Sequence, residues 1–301
     1  QLAWSSGAPE TFAIDVRNCM PGAKLEVVAS ADASASTPAV SSSARDETGT
    51  CHFRLGDLGG LGDLALSVAP PGTDAPRPFR FAVLSDIQEA INHVQDIYRL
   101  INAEAGVEFV FSAGDLTERG SSAQLERFQR ELEQLAVPYF TTLGNHELGH
   151  SPALFRQYFG RGSESFEYRG VRFTLLDSAS ATIDPIVLDW LETWMAAADG
   201  ELHIVAMHIP PLDPFGVRNG AFASRDEAAD LLGRLAQGGV ALTLYGHIHS
   251  YYHFENAGIP AYISGGGGAI PERFDHIGRH FLVVDADPLA HTTAVRVVRV
   301  D

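Results

Sequence analysis

Apolar strands alternate with helices from residue 79 onward, and a short polar motif follows each of the first three strands. The motifs are centred on Asp86, Asp115 and Asn145, which are 29 and 30 residues apart. Such a spacing is the length of one strand, one crossover helix and the next strand. Near-continuous apolar strands in this order predict an α/β domain with a parallel sheet covered on both faces. The strands are predicted over Phe79–Leu84, Val107–Ser112 and Pro138–Leu143, and the helices over Glu89–Ala103, Ser121–Leu135, Asp184–Ala197 and Ser224–Gln237.

Two later predicted strands, His203–Met207 and Val240–Tyr245, also end in polar residues, at His208 and at His247 and His249. Because the carboxyl ends of parallel strands meet at one edge of a sheet, we expect all of these side chains to lie close together. Carboxylate, amide and imidazole donors suit Mn, Fe or Zn ions. A carboxylate can bridge two such ions, and the alternation of an extended segment would direct the two histidines of Gly-His-Ile-His to different ions.

The motifs Asp-x-Gln, Gly-Asp, Gly-Asn-His-Glu, a histidine at a strand end and Gly-His-x-His occur in this order. Over about residues 79–301 they resemble the calcineurin-like metallophosphoesterases. The resemblance implies a four-layer α/β/β/α sandwich and two metal ions with Asp115 bridging. It implies that one ion is held by Asp86, Gln88, Asp115 and His249, and the other by Asp115, Asn145, His208 and His247.

The same resemblance implies roles for two residues that are not ligands. His146 would stabilise or protonate the phosphoryl group and the leaving oxygen, and Glu147 would orient the motif through hydrogen bonds. Most members have histidine where this chain has Gln88, and purple acid phosphatases have tyrosine where it has Glu118. In having glutamine at that position, the chain resembles a minority of the family that includes the manganese-dependent ADP-ribose/CDP-alcohol diphosphatases.

The resemblance implies a hydrolase of phosphoric monoesters or diesters, with in-line attack by a metal-bound hydroxide and no covalent intermediate. The substrate would be a small-molecule phosphate ester. The motifs do not specify which one, because pocket loops rather than metal ligands set its identity. Two alternatives stay open. One is a pyrophosphatase of nucleotide diphosphate conjugates, and the other is a binding scaffold of the same fold without activity.

Residues 1–75 are expected to form a small all-β accessory domain of sandwich type, and residues 76–301 the catalytic domain. Four short apolar or alternating segments predict strands before a proline-rich linker, Ala69–Pro78. The chain has two cysteines, Cys19 and Cys51, which could pair in an oxidising compartment or stay as buried thiols. The predicted strands are Thr11–Arg17, Lys24–Ala29, Cys51–Leu55 and Leu64–Val68.

The formal net charge is −17, from 21 basic and 38 acidic side chains. A field of that sign repels phosphate backbones and anionic lipid, so nucleic acid and membrane are not expected partners. No apolar run is long enough to cross a bilayer. Possible disulfide pairing, and a start at Gln1 with no targeting stretch, favour a secreted or periplasmic protein, although a trimmed expression product would look the same.

Overall fold

The computed structural model describes residues 2–6, 11–29, 39–42, 45–56, 64–149, 151–216, 220–273 and 275–301. The chain divides into two compact units, Gln1–Thr73 and Asp74–Asp301. Among the described residues, no helix is both long enough and apolar enough to span a membrane.

The described residues of the smaller unit form β-strands and turns without a helix, as the sequence predicts. An antiparallel four-stranded sheet has the order β1-β2-β5-β4, and β3 pairs with β6 in a second sheet. Ile14, Leu25 and Phe53 fill the space between the sheets. Cys19 and Cys51 form a disulfide at the same core, so the alternative of two free thiols is wrong. The strands are β1 Leu2–Ser6, β2 Thr11–Val16, β3 Lys24–Ala29, β4 Ala39–Ser42, β5 Cys51–Gly56 and β6 Leu64–Ala69.

The larger unit contains five α-helices and eleven strands among its described residues. The helices are α1 Gln95–Ala103, α2 Ser122–Leu132, α3 Pro152–Phe159, α4 Pro185–Ala197 and α5 Arg225–Gln237, and short 3₁₀ helices cover Gln88–Asn92 and Asn145–Leu148. The strands are β7 Phe79–Leu84, β8 Val107–Ser112, β9 Tyr139–Thr141, β10 Glu164–Tyr168, β11 Val171–Leu176, β12 Leu202–Met207, β13 Val240–Tyr245, β14 Tyr251–Asn256, β15 Ile259–Ser264, β16 His280–Asp287 and β17 Thr292–Arg299.

Side-chain caps set where three of the helices predicted from the sequence begin. The Ser121 hydroxyl accepts a hydrogen bond from the N–H of Gln124, and Ser224 caps α5 in the same way. Asp184 caps α4, where Pro185 takes the first helical position and loses no hydrogen bond there. The predicted bounds of these helices therefore lie within a few residues of the observed ones.

The strands form two mixed sheets rather than one parallel sheet. One sheet has the order β17-β16-β7-β8-β9 and the other β10-β11-β12-β13-β15-β14. The neighbouring strands β7, β8 and β9 are parallel, as are β11, β12, β13 and β15, whereas β16 and β17 on one side of the first sheet and β10 and β14 at the two edges of the second pair antiparallel. The expectation of a parallel sheet thus holds for β7, β8 and β9 and for the centre of the second sheet, and it is wrong for β16, β17 and the two edge strands of the second sheet.

The two sheets pack face to face, with helices on their outer faces. Phe81 and Phe109 of the first sheet contact Phe173 of the second, with ring centroids 5.2 Å apart in both pairs. On the outer faces, α1 and α2 pack against β7 and β8, and α4 and α5 pack against β12 and β13. Successive side chains of each central strand point alternately to the layer between the sheets and to the layer under the helices. Both layers are apolar, which explains why each of these strands is apolar throughout. The result is the four-layer α/β/β/α sandwich implied by the motifs.

Candidate metal centre

The polar strand ends of both sheets converge at one place. Asp86, Asp115 and Asn145 follow β7, β8 and β9 of one sheet, while His208 and the His247–His249 segment follow β12 and β13 of the other. The structure brings together all seven residues that the motifs suggest as ligands. We describe them as two groups that share Asp115.

The first group consists of Asp86, Gln88, Asp115 and His249. The amide nitrogen of Gln88 lies 2.6 Å from Asp115 Oδ2 and 3.2 Å from His249 Nε2. His249 Nε2 in turn lies 3.4 Å from Asp86 Oδ1. A half-turn of the amide would exchange its nitrogen and oxygen, so Gln88 can present an acceptor to the same point.

The second group consists of Asp115, Asn145, His208 and His247. His208 Nε2 lies 3.3 Å from Asp115 Oδ2 and 3.0 Å from Asn145 Oδ1. The same amide oxygen lies 2.8 Å from His247 Nδ1. Asp115 Oδ2 therefore contacts both groups, through Gln88 on one side and through His208 on the other.

One subset already has the arrangement of a cation site. Single donor atoms of Asp86, Asp115 and His208 all lie within 4.8 Å of one another, and all three residues are buried. Two carboxylate oxygens and one imidazole nitrogen form a donor set that borderline divalent ions accept. The residues present therefore fit a metal ion, in agreement with the metal dependence of the family to which the motifs point.

Two of the histidines are oriented by backbone carbonyls. His208 Nδ1–H donates to the carbonyl of Ala113 at 2.8 Å, and His249 Nδ1–H donates to that of Ile270 at 2.6 Å. Because a carbonyl only accepts, each Nδ1 carries a proton, and Nε2 is the nitrogen that faces the carboxylates and could bind a cation. Metal-binding histidines are commonly fixed in this way.

The electrostatics of the centre favour positive charge. Burial alone would raise the pKa of Asp115, but the neighbouring His208 holds it well below its usual range. The pKa of Asp86 is also lowered, since His249 and His208 outweigh the effect of burial. In return, Asp115 and Asp86 raise the pKa of His208 to about 9 despite its complete burial. Two buried carboxylates thus attract a cation to this point.

Four of the seven residues have left-handed backbone conformations. The φ angles are +59° at Asp86, +47° at Gln88, +53° at Asp115 and +70° at His247. Each such conformation costs about 1–3 kcal/mol for a residue other than glycine. Strained conformations persist only where the surrounding structure maintains them, and they cluster at functional sites.

Two glycines allow the strand ends to approach closely. A Cβ at Gly144 would lie 1.9 Å from Asp115 Oδ1, and a Cβ at Gly246 would lie 2.7 Å from Asp86 Oδ2. Neither position has room for a side chain. The glycine of each motif is therefore required for the carboxylate to reach its place.

Glu147 supports the loop that carries Asn145. Its buried carboxylate accepts hydrogen bonds from the N–H and hydroxyl of Thr117, both at 2.9 Å, and from the N–H of Gly144 at 3.0 Å. Burial and the charge of Asp115 raise the pKa of Glu147 to about 7. These contacts are those of the orienting role expected from the sequence.

His146 lies on the solvent side of the two groups. Its Nε2 is 4.0 Å from Asp115 Oδ2, its Nδ1–H donates to the carbonyl of Glu118 at 2.7 Å, and its side chain is 28% exposed. Asn145 and His247 are also partly exposed, whereas the other five residues of the two groups are buried. A substrate can therefore reach the centre from the side of His146, Asn145 and His247.

Several supporting contacts are not predictable from the sequence. The Ser85 hydroxyl donates to Asp86, and the carbonyls of Ala113, Glu118 and Ile270 orient histidines. Backbone carbonyls give no residue-specific signal. Ser85 directly precedes a candidate ligand, and that position is the one signal in the sequence that marks it.

Comparisons with known proteins agree with this geometry. A 3′,5′-cyclic-nucleotide phosphodiesterase of Nostoc sp. is 24% identical over 164 residues, which cover 51% of this chain and 60% of the relative. The chain spans about 60% of the length of the curated relatives it matches. The activity of those relatives is therefore applied to this chain only as a proposal.

Solved structures show the same fold. A dimetal phosphatase from Danio rerio superposes with a TM-score of 0.55 at 15% identity, covering 74% of this chain and 99% of that one. The structure of PhoD gives a TM-score of 0.54 at 12% identity, covering 99% of this chain and 88% of the other. The family model of the calcineurin-like phosphoesterases matches residues 79–251, which is more than half of the sequence. The chain therefore belongs to the calcineurin-like phosphoesterase family.

Proposed function

We propose that this chain hydrolyses phosphoric esters, with phosphodiesters as the preferred class, at a centre of two metal cations. The observation that carries the proposal is the position of Asp115 Oδ2, which contacts both groups of candidate ligands. Membership of the phosphoesterase family supports the reaction class. The cyclic-nucleotide phosphodiesterases among the relatives support the choice of diesters.

The two groups of donors would each hold one cation. Asp115 would serve both cations, because its Oδ2 contacts both groups of donors. The remaining donors are oxygen and imidazole nitrogen atoms, which suit Mn, Fe or Zn. The proposed ligands are Asp86, Gln88, Asp115 and His249 for one cation, and Asp115, Asn145, His208 and His247 for the other.

The side chains of this site would bind the cations, orient the substrate and protonate the leaving group. When bound, the cations would supply an activated water near neutral pH and neutralise charge on the phosphoryl oxygens. His146, on the exposed side, is placed to donate a proton from Nε2 to the departing alkoxide. Its Nδ1–H bond to the carbonyl of Glu118 fixes the ring for that role.

A substrate panel on metal-depleted protein tests this proposal. Chelator-treated protein would be assayed with and without added Mn²⁺ against an aryl phosphomonoester, an aryl phosphodiester and a nucleotide pyrophosphate. We expect Mn²⁺-dependent hydrolysis with the diester preferred. Preference for the pyrophosphate would favour the ADP-ribose/CDP-alcohol type of activity, for which Gln88 is the specific sequence feature. Failure to hydrolyse any of the three would contradict the proposal and favour a binding scaffold.

We also propose that the two parts of the chain have separate roles. All seven proposed ligands and His146 belong to the unit Asp74–Asp301. Residues 76–301 would therefore be the catalytic domain, and residues 1–75 an accessory module. A chain beginning near Pro78 should still bind Mn²⁺ and hydrolyse small esters, and loss of activity in a well-folded truncation would contradict this division.

The disulfide supports a location outside the cytosol. Cys19 and Cys51 are paired in the core of the smaller unit, and such bonds persist mainly in oxidising compartments. We propose a secreted or periplasmic protein. Fractionation of the source cells would check this location, and recovery of the reduced protein in the cytosol would contradict it.

A further inference from the structure

We infer that Phe215 and Tyr252 form a stacking platform for a planar aromatic group in the alcohol part of the substrate. The inference rests on the proposed function, since it names the substrate class of the same site. It concerns phosphoric esters that carry a heterocycle or aryl ring, such as nucleoside esters.

Phe215 is a large apolar side chain that is already supported on one face. Its ring stacks on that of Tyr252 with centroids 4.1 Å apart and planes at 23°. Phe254 meets it edge-on at 6.1 Å. Even so, Phe215 remains 48% exposed. A ring that is held on one side and open on the other can accept a second ring without reorganisation.

The loop that carries Phe215 is tied to the candidate metal centre. One carboxylate oxygen of Asp213 accepts from the N–H groups of Phe215 at 3.0 Å and Gly216 at 2.8 Å, while the other accepts from Gly220 at 3.3 Å. A Cβ at Gly220 would lie 3.0 Å from the ring of His247, so this loop packs directly on that histidine. Asp213 thus holds Phe215 at a fixed place near a proposed ligand.

Tyr252 is placed at the same edge of the sheet. It pairs with Ile263 of β15, and Ile263 pairs with Tyr245, the last residue of β13. His247 lies two residues beyond Tyr245, so Tyr252 lies level with the start of the ligand segment, about 10 Å across two strand spacings. The platform therefore lies at the same end of the sheet as His247, which is partly exposed.

These positions favour a planar group over other substrate parts. A flat ring gains dispersion and quadrupole contact with an aromatic face over its whole area, which a short alkyl group does not. Stacking of a base on an aromatic side chain is sequence-tolerant, because every base has a flat face. The platform would therefore select esters that contain such a ring without selecting among the bases.

The test compares two phosphates that differ only by a base. Binding of adenosine 5′-monophosphate and of ribose 5-phosphate to the Mn²⁺-loaded full chain would be measured by titration calorimetry. We expect the nucleotide to bind the wild-type chain at least about 10-fold more tightly. Phe215→Ala should remove that preference without changing the affinity for ribose 5-phosphate, and Phe215→Trp should retain it.

Leu289→Ala is the matched control. Leu289 is 68% exposed and follows β16, whose residue Ala286 pairs with Phe79 at the start of β7. This is the opposite end of the strands from Asp86. The control should bind both phosphates as the wild type does, and circular dichroism would verify the fold of each variant.

Equal binding of both phosphates by the wild type would overturn the inference, as would a base preference that survives Phe215→Ala. Because the readout is equilibrium binding, it is separate from turnover. Base-dependent binding without hydrolysis of any ester would leave the platform standing and contradict the proposed function. Hydrolysis without any base preference would overturn the inference and leave the proposed function standing.

Discussion

The backbone N–H of His247 donates to both carboxylate oxygens of Asp86, at 3.1 Å each. The two residues are 161 positions apart in the chain and belong to segments that follow different sheets. One proposed ligand thus fixes the carboxylate of another through its main chain. The left-handed backbone of His247 accompanies this contact, which links the local strain to the assembly of the centre.

The shared position of Asp115 predicts that Asp115→Ala loses both cations and the activity. Both proposed cations depend on this carboxylate, and its removal would also leave His208 without its closest acidic partner. Metal content per chain would be measured by elemental analysis after dialysis against Mn²⁺. Asp177→Asn is a suitable control, since Asp177 follows β11 and its Oδ1 accepts from the N–H of Ala179. Two retained cations in Asp115→Ala would refute the bridging role.

The position of His146 predicts a different outcome from ligand loss. His146→Ala should keep the metal content and lower turnover by about 10²–10⁴-fold, the range for a general acid. The loss should be smallest for an aryl ester with a very acidic leaving group, because that group needs no proton. His253→Ala, at an exposed position of β14, is the control. Equal losses across a series of leaving groups would instead indicate a positioning role.

Residue types at strand ends made most of the centre predictable. Carboxylates and imidazoles that recur at regular intervals after apolar strands indicate a ligand-binding edge, because the parallel order brings them together. The orienting acceptors could not be predicted in this way, because any residue supplies a carbonyl. Ile270 acts on His249 from 21 positions away, and no property of isoleucine marks that contact.

The fold, too, was predictable only where a side-chain signal in the sequence marks the feature. Ser121 and Ser224 mark helix starts through side-chain chemistry that is visible in the sequence. In contrast, the helix predicted over Glu89–Ala103 is a 3₁₀ turn, Gln88–Asn92, followed by α1. The apolar spacing continues through both parts, so periodicity alone does not reveal the break. Phe215 gives no sequence signal either, because its platform exists only after a loop and β14 come together.

Burial of His203 predicts that the larger unit loses stability below neutral pH. Burial, together with the nearby charge of Arg172, lowers the pKa of His203 to about 4. Between this value and the ordinary value near 6.5, the unfolded chain binds a proton that the folded chain does not. The contribution of His203 to the free energy of unfolding should therefore be greatest above pH 6.5 and fall by about 3 kcal/mol toward pH 4.

Urea unfolding at pH 7 and pH 5 would measure this contribution. His203→Gln removes the titrating group, so its stability should fall less between the two pH values than that of the wild type. His253→Gln, at an exposed histidine, should follow the wild type. The same pH dependence in all three proteins would show that His203 does not titrate as its burial predicts.

The amide of Gln88 predicts that the first of the two cation sites is the weaker one. It lies between Asp115 Oδ2 and His249 Nε2. An amide oxygen donates less charge than imidazole, so the first cation should be held more loosely than the second. Gln88→His should therefore tighten that site and shift its preference from Mn toward Zn or Fe.

Gln88→Ala should weaken the same site without abolishing it, because Asp86, Asp115 and His249 still contribute to the first group. The other site should be largely unchanged, because Gln88 is not part of the second group. The measurement is a metal titration of activity and of bound metal in the chelator-treated wild type and both variants. We expect three different concentration dependences for one cation and a common dependence for the other. An identical metal dependence in all three proteins would show that Gln88 is not a ligand. Its buried amide would then serve to hold Asp115 and His249 in place through hydrogen bonds.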